Sequence, residues 1–295
     1  MELWVVLAIA AAAAQSVRFA LQKVLAGAAL GPAAATWSRF LWSAPLALAG
    51  ITLYLSATGQ SVPALGADFW LFGAAGGGFQ ILATICTVAL FKRRAFAVGI
   101  TFKKTEVMLT ALAGLIILGD MISAWGAMAI ALGFAGVLLL SDPPDGGGIF
   151  NRGAALGLLS GIFFALSAVT YRGATLAVEN LDLIATAGIT LAVVTTLQTI
   201  TLGLWLYVRE PGQITATIKS WRTSSLVGVF SMIGSFSWFA AFSLQNAAYV
   251  FAVGQIELIF SLIIGRIVFG ETPSPREALG MFILTGSIIA VVLIG

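Results

Sequence analysis

Glu106-Val-Met-Leu, running on to Leu118-Gly119-Asp120, and Glu257-Leu-Ile-Phe, running on to Phe269-Gly270-Glu271, decide how this chain folds. Each stretch begins with a bare carboxylate near the middle of a long apolar run. Each reaches a second acid after the same interval, from 106 to 120 and from 257 to 271. A charge at mid-membrane depth costs at least ~2.5 kcal/mol on insertion scales, so such residues face a polar interior or a pathway rather than lipid. The same pattern at matching places in both halves predicts a duplicated unit.

Composition sets the class. The chain has 295 residues, 60% hydrophobic and 9% charged, with a mean hydropathy of +1.04. Soluble domains carry about 25% charged residues, so the chain reads as an all-α, polytopic membrane protein whose first partner is the lipid bilayer. The single cysteine, Cys86, excludes an internal disulfide and any cysteine-built metal site, and the absence of histidine excludes a histidine zinc site, triad or proton relay. No metal or cofactor is expected. Gly76-Gly-Gly-Phe-Gln is not followed by Gly-Lys-Ser/Thr, so no ATP engine is expected either. No nucleophile elbow with triad partners is found. The chain is therefore read as a non-enzyme with no catalytic residues, and the formal charge of +3 gives no case for nucleic acid. The first apolar run lacks a basic leader region and a small-residue cleavage site, so it reads as a retained helix.

A spanning helix needs about 20 mostly apolar residues. That rule predicts ten spans, at about 3–25, 33–55, 69–91, 95–118, 122–141, 153–177, 183–207, 223–246, 248–269 and 277–294. Ser141-Asp-Pro-Pro-Asp-Gly-Gly-Gly148 is the strongest breaker cluster and divides them five and five. The predicted units are residues 1–145 and 146–295. An odd number of spans per unit makes the repeat inverted, with its axis in the membrane plane. The loops after the first, third, fifth, seventh and ninth spans hold Lys23, Lys92, Arg93, Arg94, Arg152, Arg209, Lys219, Arg222 and Arg276, and the other loops hold no Lys or Arg. The positive-inside rule puts the basic loops in the cytoplasm and both termini outside.

Two tandem five-span units, each with a small-residue fourth span closing on Leu-Gly-Asp or Phe-Gly-Glu before a Gly-rich fifth span, resemble the EamA repeats of the drug/metabolite transporter superfamily. The stretch Gln245-Asn-Ala-Ala-Tyr-Val-Phe-Ala-Val-Gly-Gln-Ile-Glu257 is similar to the matching region of YddG-type aromatic amino acid exporters. The resemblance implies two inverted five-helix repeats around a central cavity. It also implies a secondary transporter that exports amino acids across the bacterial inner membrane by alternating access. Aromatic or other large neutral amino acids head the substrate list, with threonine and methionine as alternatives. Members of this superfamily commonly keep both termini cytoplasmic, and the loop charges here say the reverse.

Within the spans, Lys103 stands one turn before Glu106 and can pair with it. Glu106 and Glu257 are the candidate proton carriers and the candidate partners of a substrate ammonium. Gln80, Thr84 and Thr87 share one face of the third span. Ser231, Ser235 and Trp238 share a face of the equivalent eighth span. Gln80, Thr84, Glu106, Ser235, Trp238 and Glu257 are accordingly expected to line the cavity, with Phe79, Phe102, Phe236 and Phe239 able to stack on a planar ligand. The plainer reading of the polar faces is close helix packing with local hydroxyl bonds. Arg18 and Arg172, related by the repeat, are expected to snorkel to the interface, and Arg39, beside Trp37 and Trp42, to anchor there. Two rivals stand against the amino acid exporter: a proton-coupled multidrug or metabolite antiporter of the same fold, and a non-transporting membrane scaffold whose glutamates merely pair inside the bundle. A monomer fits either transporter reading, and the oligomeric state is left open.

Overall fold

The computed structural model describes residues 2–28, 30–90, 104–140, 152–260 and 275–294, and the regular structure among them is helical. In chain order the helices are α1 (Leu3–Ala28), α2 (Pro32–Thr58), α3 (Ala67–Leu90), α4 (Glu106–Leu118), α5 (Ala124–Leu140), α6 (Arg152–Leu176), α7 (Leu183–Arg209), α8 (Gln213–Lys219), α9 (Trp221–Leu244), α10 (Ala247–Gly254) and α11 (Pro275–Ile294). Six of these, α1, α2, α3, α6, α7 and α9, are long and apolar enough to cross a bilayer, and α4, α5, α10 and α11 belong to shorter apolar helices. The seven-residue α8 has no counterpart in the expected spans and falls in what reads as a loop.

Local chemistry sets the ends. Pro32 opens α2, where a missing N–H costs nothing. Gly59 and Gly119 close α2 and α4 at φ 69°, a left-handed conformation that glycine adopts without a Cβ penalty. The Asp182 carboxylate accepts from the Ile184 and Ala185 amides, both at 2.9 Å, and starts α7. The Asn246 side chain caps α10 by accepting from the Ala248 amide at 2.9 Å.

Burial is inside-out relative to a soluble protein. Leu53, Leu71, Ile116, Trp125 and Phe282 stand exposed on the outside, while Arg18, Gln22, Arg39, Lys104, Glu106, Gln198 and Glu257 are buried. Only a solvent as apolar as the side chains makes that arrangement stable. The chain is a multi-pass membrane protein.

The most extensive helix contacts join residues before 141 to residues after 151: α3 with α6, α1 with α9, α5 with α11 and α2 with α7. Small residues permit this closeness. A Cβ on Gly136 of α5 would lie 2.8 Å from the Leu284 amide nitrogen of α11, so those two backbones touch. The Ser167 hydroxyl of α6 donates to the Gly76 carbonyl of α3 at 3.1 Å. Among the described residues, the most extensive packing thus runs between the two halves.

Candidate functional site

Both repeated glutamates stand at the start of a helical stretch, just after a turn. Lys104 and Thr105 form a turn and Glu106 is the first residue of α4. Gln255 and Ile256 form a turn after α10, and helical backbone resumes at residues 257–260. The expected ninth span, 248–269, is therefore interrupted just ahead of Glu257, and the described part of the fourth begins at Glu106. At the second break the ladder tightens, with Gln255 N–H donating to the Ala252 carbonyl at 3.3 Å and Ile256 N–H to the Val253 carbonyl at 3.1 Å. Broken helices leave backbone groups and helix ends directed at whatever occupies the space between them.

The two turns meet. Lys104, from the turn before α4, forms an ion pair with Glu257 Oε1, and the Lys104 and Glu257 side chains are 2% and 10% exposed. Glu257 Oε2 accepts from Gln15 Nε2 of α1 at 2.7 Å. Gln255 Nε2 donates to Glu106 Oε1 at 3.4 Å. Gln255 Oε1 is buried with no partner among the described residues. A narrow crevice of about 10 Å³, the size of one water molecule, runs past Lys104, Gln255 and Ser287 between α4, α5, α10 and α11. The expected pairing of Glu106 with Lys103 involves a residue outside the described ones; the ion pair seen here uses the next lysine and the other glutamate.

A second polar centre lies alongside. Arg39 of α2 is buried, not interfacial as expected. Its Nε donates to Ser231 Oγ at 2.8 Å, Nη1 to Thr84 Oγ1 at 3.1 Å and Nη2 to Ser235 Oγ at 3.1 Å. The polar faces of α3 and α9 thus converge on an arginine that hydropathy and tryptophan neighbours assign to the membrane surface. Arg18 of α1 is buried too rather than snorkelling. Its Nη1 donates to Gln22 Oε1 at 2.8 Å and its Nη2 to Gln15 Oε1 at 3.3 Å. The Gln15 amide therefore spans from the Arg18 guanidinium to the Glu257 carboxylate.

Other expected residues fall elsewhere. Gln80 Oε1 accepts from the Tyr171 hydroxyl at 3.0 Å and from Gln198 Nε2 at 3.1 Å, a knot between α3, α6 and α7. Trp238 stacks on Phe242 at a centroid distance of 5.8 Å and meets Phe251 edge-on at 5.1 Å. A Cβ on Gly254, at the end of α10, would strike the Trp238 ring. Trp238 thus packs against the break itself. Phe79 stacks on Phe163 at 6.3 Å, and Phe102 lies outside the described residues. Thr87 bonds Ser160 across α3 and α6 at 2.7 Å. Arg172 holds Asp120 at 2.8 Å and also donates to the Phe242 and Gln245 carbonyls at 2.6 and 2.8 Å. It therefore ties three helix ends together instead of reaching for lipid headgroups. Among the described residues no cluster of His, Cys, Asp and Glu could hold a metal ion.

Residues 151–293 match the family described as EamA-like transporter family. One solved structure, described only as a crystal structure of a protein, superposes with a TM-score of 0.71 over 99% of this chain and 96% of its own length at 15% identity; the likeness is one of fold. No curated protein matches.

Proposed function

We propose that the chain is a secondary transporter that exports amino acids, aromatic or other large neutral ones foremost, across a bacterial inner membrane by alternating access. The observation that carries this reading is the meeting of two turns, one from each half and one of them interrupting a helix, at a buried Lys104–Glu257 pair with Glu106 and Gln255 beside it. Interrupted helices at the contact between two halves are where transporters hold substrate and coupling ion. The EamA-like match of residues 151–293 supports the same class.

In this proposal residues 1–145 and 146–295 are two inverted five-helix units, the short α8 lying outside the ten spans, and a central cavity opens between them as the halves rock. Gln80, Thr84, Glu106, Ser235, Trp238 and Glu257 border the path, Trp238 beside the second break offering an aromatic wall. The loops rich in Lys and Arg face the cytoplasm.

The engagement of Glu257 by Lys104 and Gln15 also fits a non-transporting membrane protein. Purified protein in proteoliposomes, tested with labelled phenylalanine, tryptophan, methionine and threonine, separates the readings. Saturable flux of a large neutral amino acid is expected. Flux of lipophilic cations with no amino acid flux selects the multidrug antiporter, and no flux of either class selects the scaffold.

A further inference from the structure

Arg18 and Arg39 are a pair of buried cations whose bonding partners are neutral. Arg39, 3% exposed, makes three hydrogen bonds, all to hydroxyls. A guanidinium has five N–H donors, so one on Nη1 and one on Nη2 have no protein partner among the described residues. Arg18, 2% exposed, bonds two glutamine oxygens through Nη1 and Nη2, and its Nε has no protein partner among the described residues. Neither arginine has a carboxylate within bonding distance among those residues. Gln22, which accepts from Arg18 Nη1, donates to the Ala35 carbonyl one turn before Arg39 at 3.0 Å, so the two arginines stand on adjoining helices. Two like charges in a low-dielectric interior with donors to spare are stabilised by an anion placed between them.

The polarity of Gln15 says what else that ligand carries. Its oxygen faces the arginine and its nitrogen faces Glu257. An α-amino acid presents the same polarity over a similar reach, with carboxylate oxygens at one end and an ammonium at the other. From this we infer that Arg18, Arg39, Gln15 and Glu257 form a recognition site for a zwitterionic head group. The carboxylate lies on the two guanidiniums and the ammonium is directed at Glu257, displacing the Gln15 amide from its bridge. Arg39 is the specificity-determining residue for the anionic end. This rests on the transporter reading above and narrows it, because amines, amides and lipophilic cations lack the group that the arginines select.

The test is competition and flux in proteoliposomes with phenylalanine, phenylalanine amide, 3-phenylpropionate and phenyl phosphate, in the parent protein and in Arg39→Gln and Arg39→Lys. Loss of a hydrogen-bonded charge contact is worth about tenfold to a hundredfold. The parent should prefer phenylalanine over its amide, and over 3-phenylpropionate, by that factor. Arg39→Gln should erase the preference over the amide and keep the preference over 3-phenylpropionate, with Arg39→Lys between. An arginine that only ties α2 to α3 and α9 would weaken all probes equally. Equal handling of acid and amide by the parent overturns the inference without any variant, which covers a poorly folded Arg39→Gln. Preference for phenyl phosphate over phenylalanine overturns the zwitterion in favour of a phosphate ester. Flux of lipophilic cations alone overturns the inference and leaves a transporter. No flux of any probe removes the transporter reading and the inference with it.

Discussion

Lys104 and Glu257 form a buried ion pair between the two halves of the chain, each residue in or beside a turn that precedes a helical stretch. Local sequence pairs Glu106 with a lysine one turn away. The structure also joins residues separated by 153 positions. The pair links the turn before α4 to the helical residues after α10 directly.

Removing one member leaves the other charged and buried. Lys104→Met should destabilise the protein by about 3–5 kcal/mol, read as a lowered unfolding temperature in detergent. The double variant Lys104→Met/Glu257→Gln should be more stable than Lys104→Met alone. A double variant no better than the single would mean that the lysine acts through packing.

Protonation of Glu257 would release both Lys104 and Gln15, which couples a proton to the contact between the halves. With no histidine in the chain, Glu257 and Glu106 are the carriers proposed here. Glu257→Gln should still exchange substrate, with no response to an imposed pH gradient. Full gradient-driven accumulation by a Glu106→Gln/Glu257→Gln protein would remove both residues from coupling.

Asp182, at the start of α7, gives a pH effect of calculable sign. The Gln60 side chain, then the Ala185 amide, with Tyr54 and the Ile184 amide adding, hold its carboxyl below the usual carboxylate range. A depressed folded value means that this stabilisation is present above the ordinary carboxylate pKa. It is lost as pH falls through the folded value. The group is largely solvated, so screening keeps the effect under ~1 kcal/mol. Asp182→Asn should unfold at nearly the parent's temperature at pH 7, and the gap between the two should close as pH falls toward 3.

Close helix packing makes two glycines behave oppositely. Gly136→Ala sets a methyl against the Leu284 and Gly280 backbone, at 2.8 and 3.0 Å, where no side chain can yield. A loss of about 1–3 kcal/mol is expected. Gly50→Ala meets nothing within 4 Å and should gain up to about 1 kcal/mol from helix propensity. Thermal unfolding of both variants checks the contrast.

Sidedness is read by labelling. In a Cys86→Ser background, Val62→Cys in the loop before α3 should react with an impermeant thiol reagent added to intact cells, and Arg222→Cys near the start of α9 should not. The opposite pattern would place the basic loops outside.

How much was legible beforehand differs by kind of feature. The apolar runs and the repeated glutamates depend on residues close together in sequence, so they could be read from it. The polar faces of α3 and α9 were legible as faces, because three residues at helical spacing lie on one side whatever surrounds them. What they face was not. Arg39 reads as a surface anchor until α2 is seen between α3 and α9, where Thr84, Ser231 and Ser235 enclose it.

The sequence by itself determined that this chain lives in a bilayer, that the same glutamate-to-acid spacing occurs twice, and that a few charges must be sheltered within it. Hydropathy is a sum over neighbours along the chain, and the cost of a charge in lipid needs no knowledge of its partner. The tertiary structure alone decided which charges meet: Lys104 with Glu257, Arg172 with Asp120, and Arg18 with Gln15. It also decided that a turn stands just before each of the two glutamates. Those outcomes depend on how each helix is rotated and how far it slides against its neighbours. Small residues set both, Gly136 by letting two backbones touch and Gly76 by admitting the Tyr171 ring, and no local pattern encodes them.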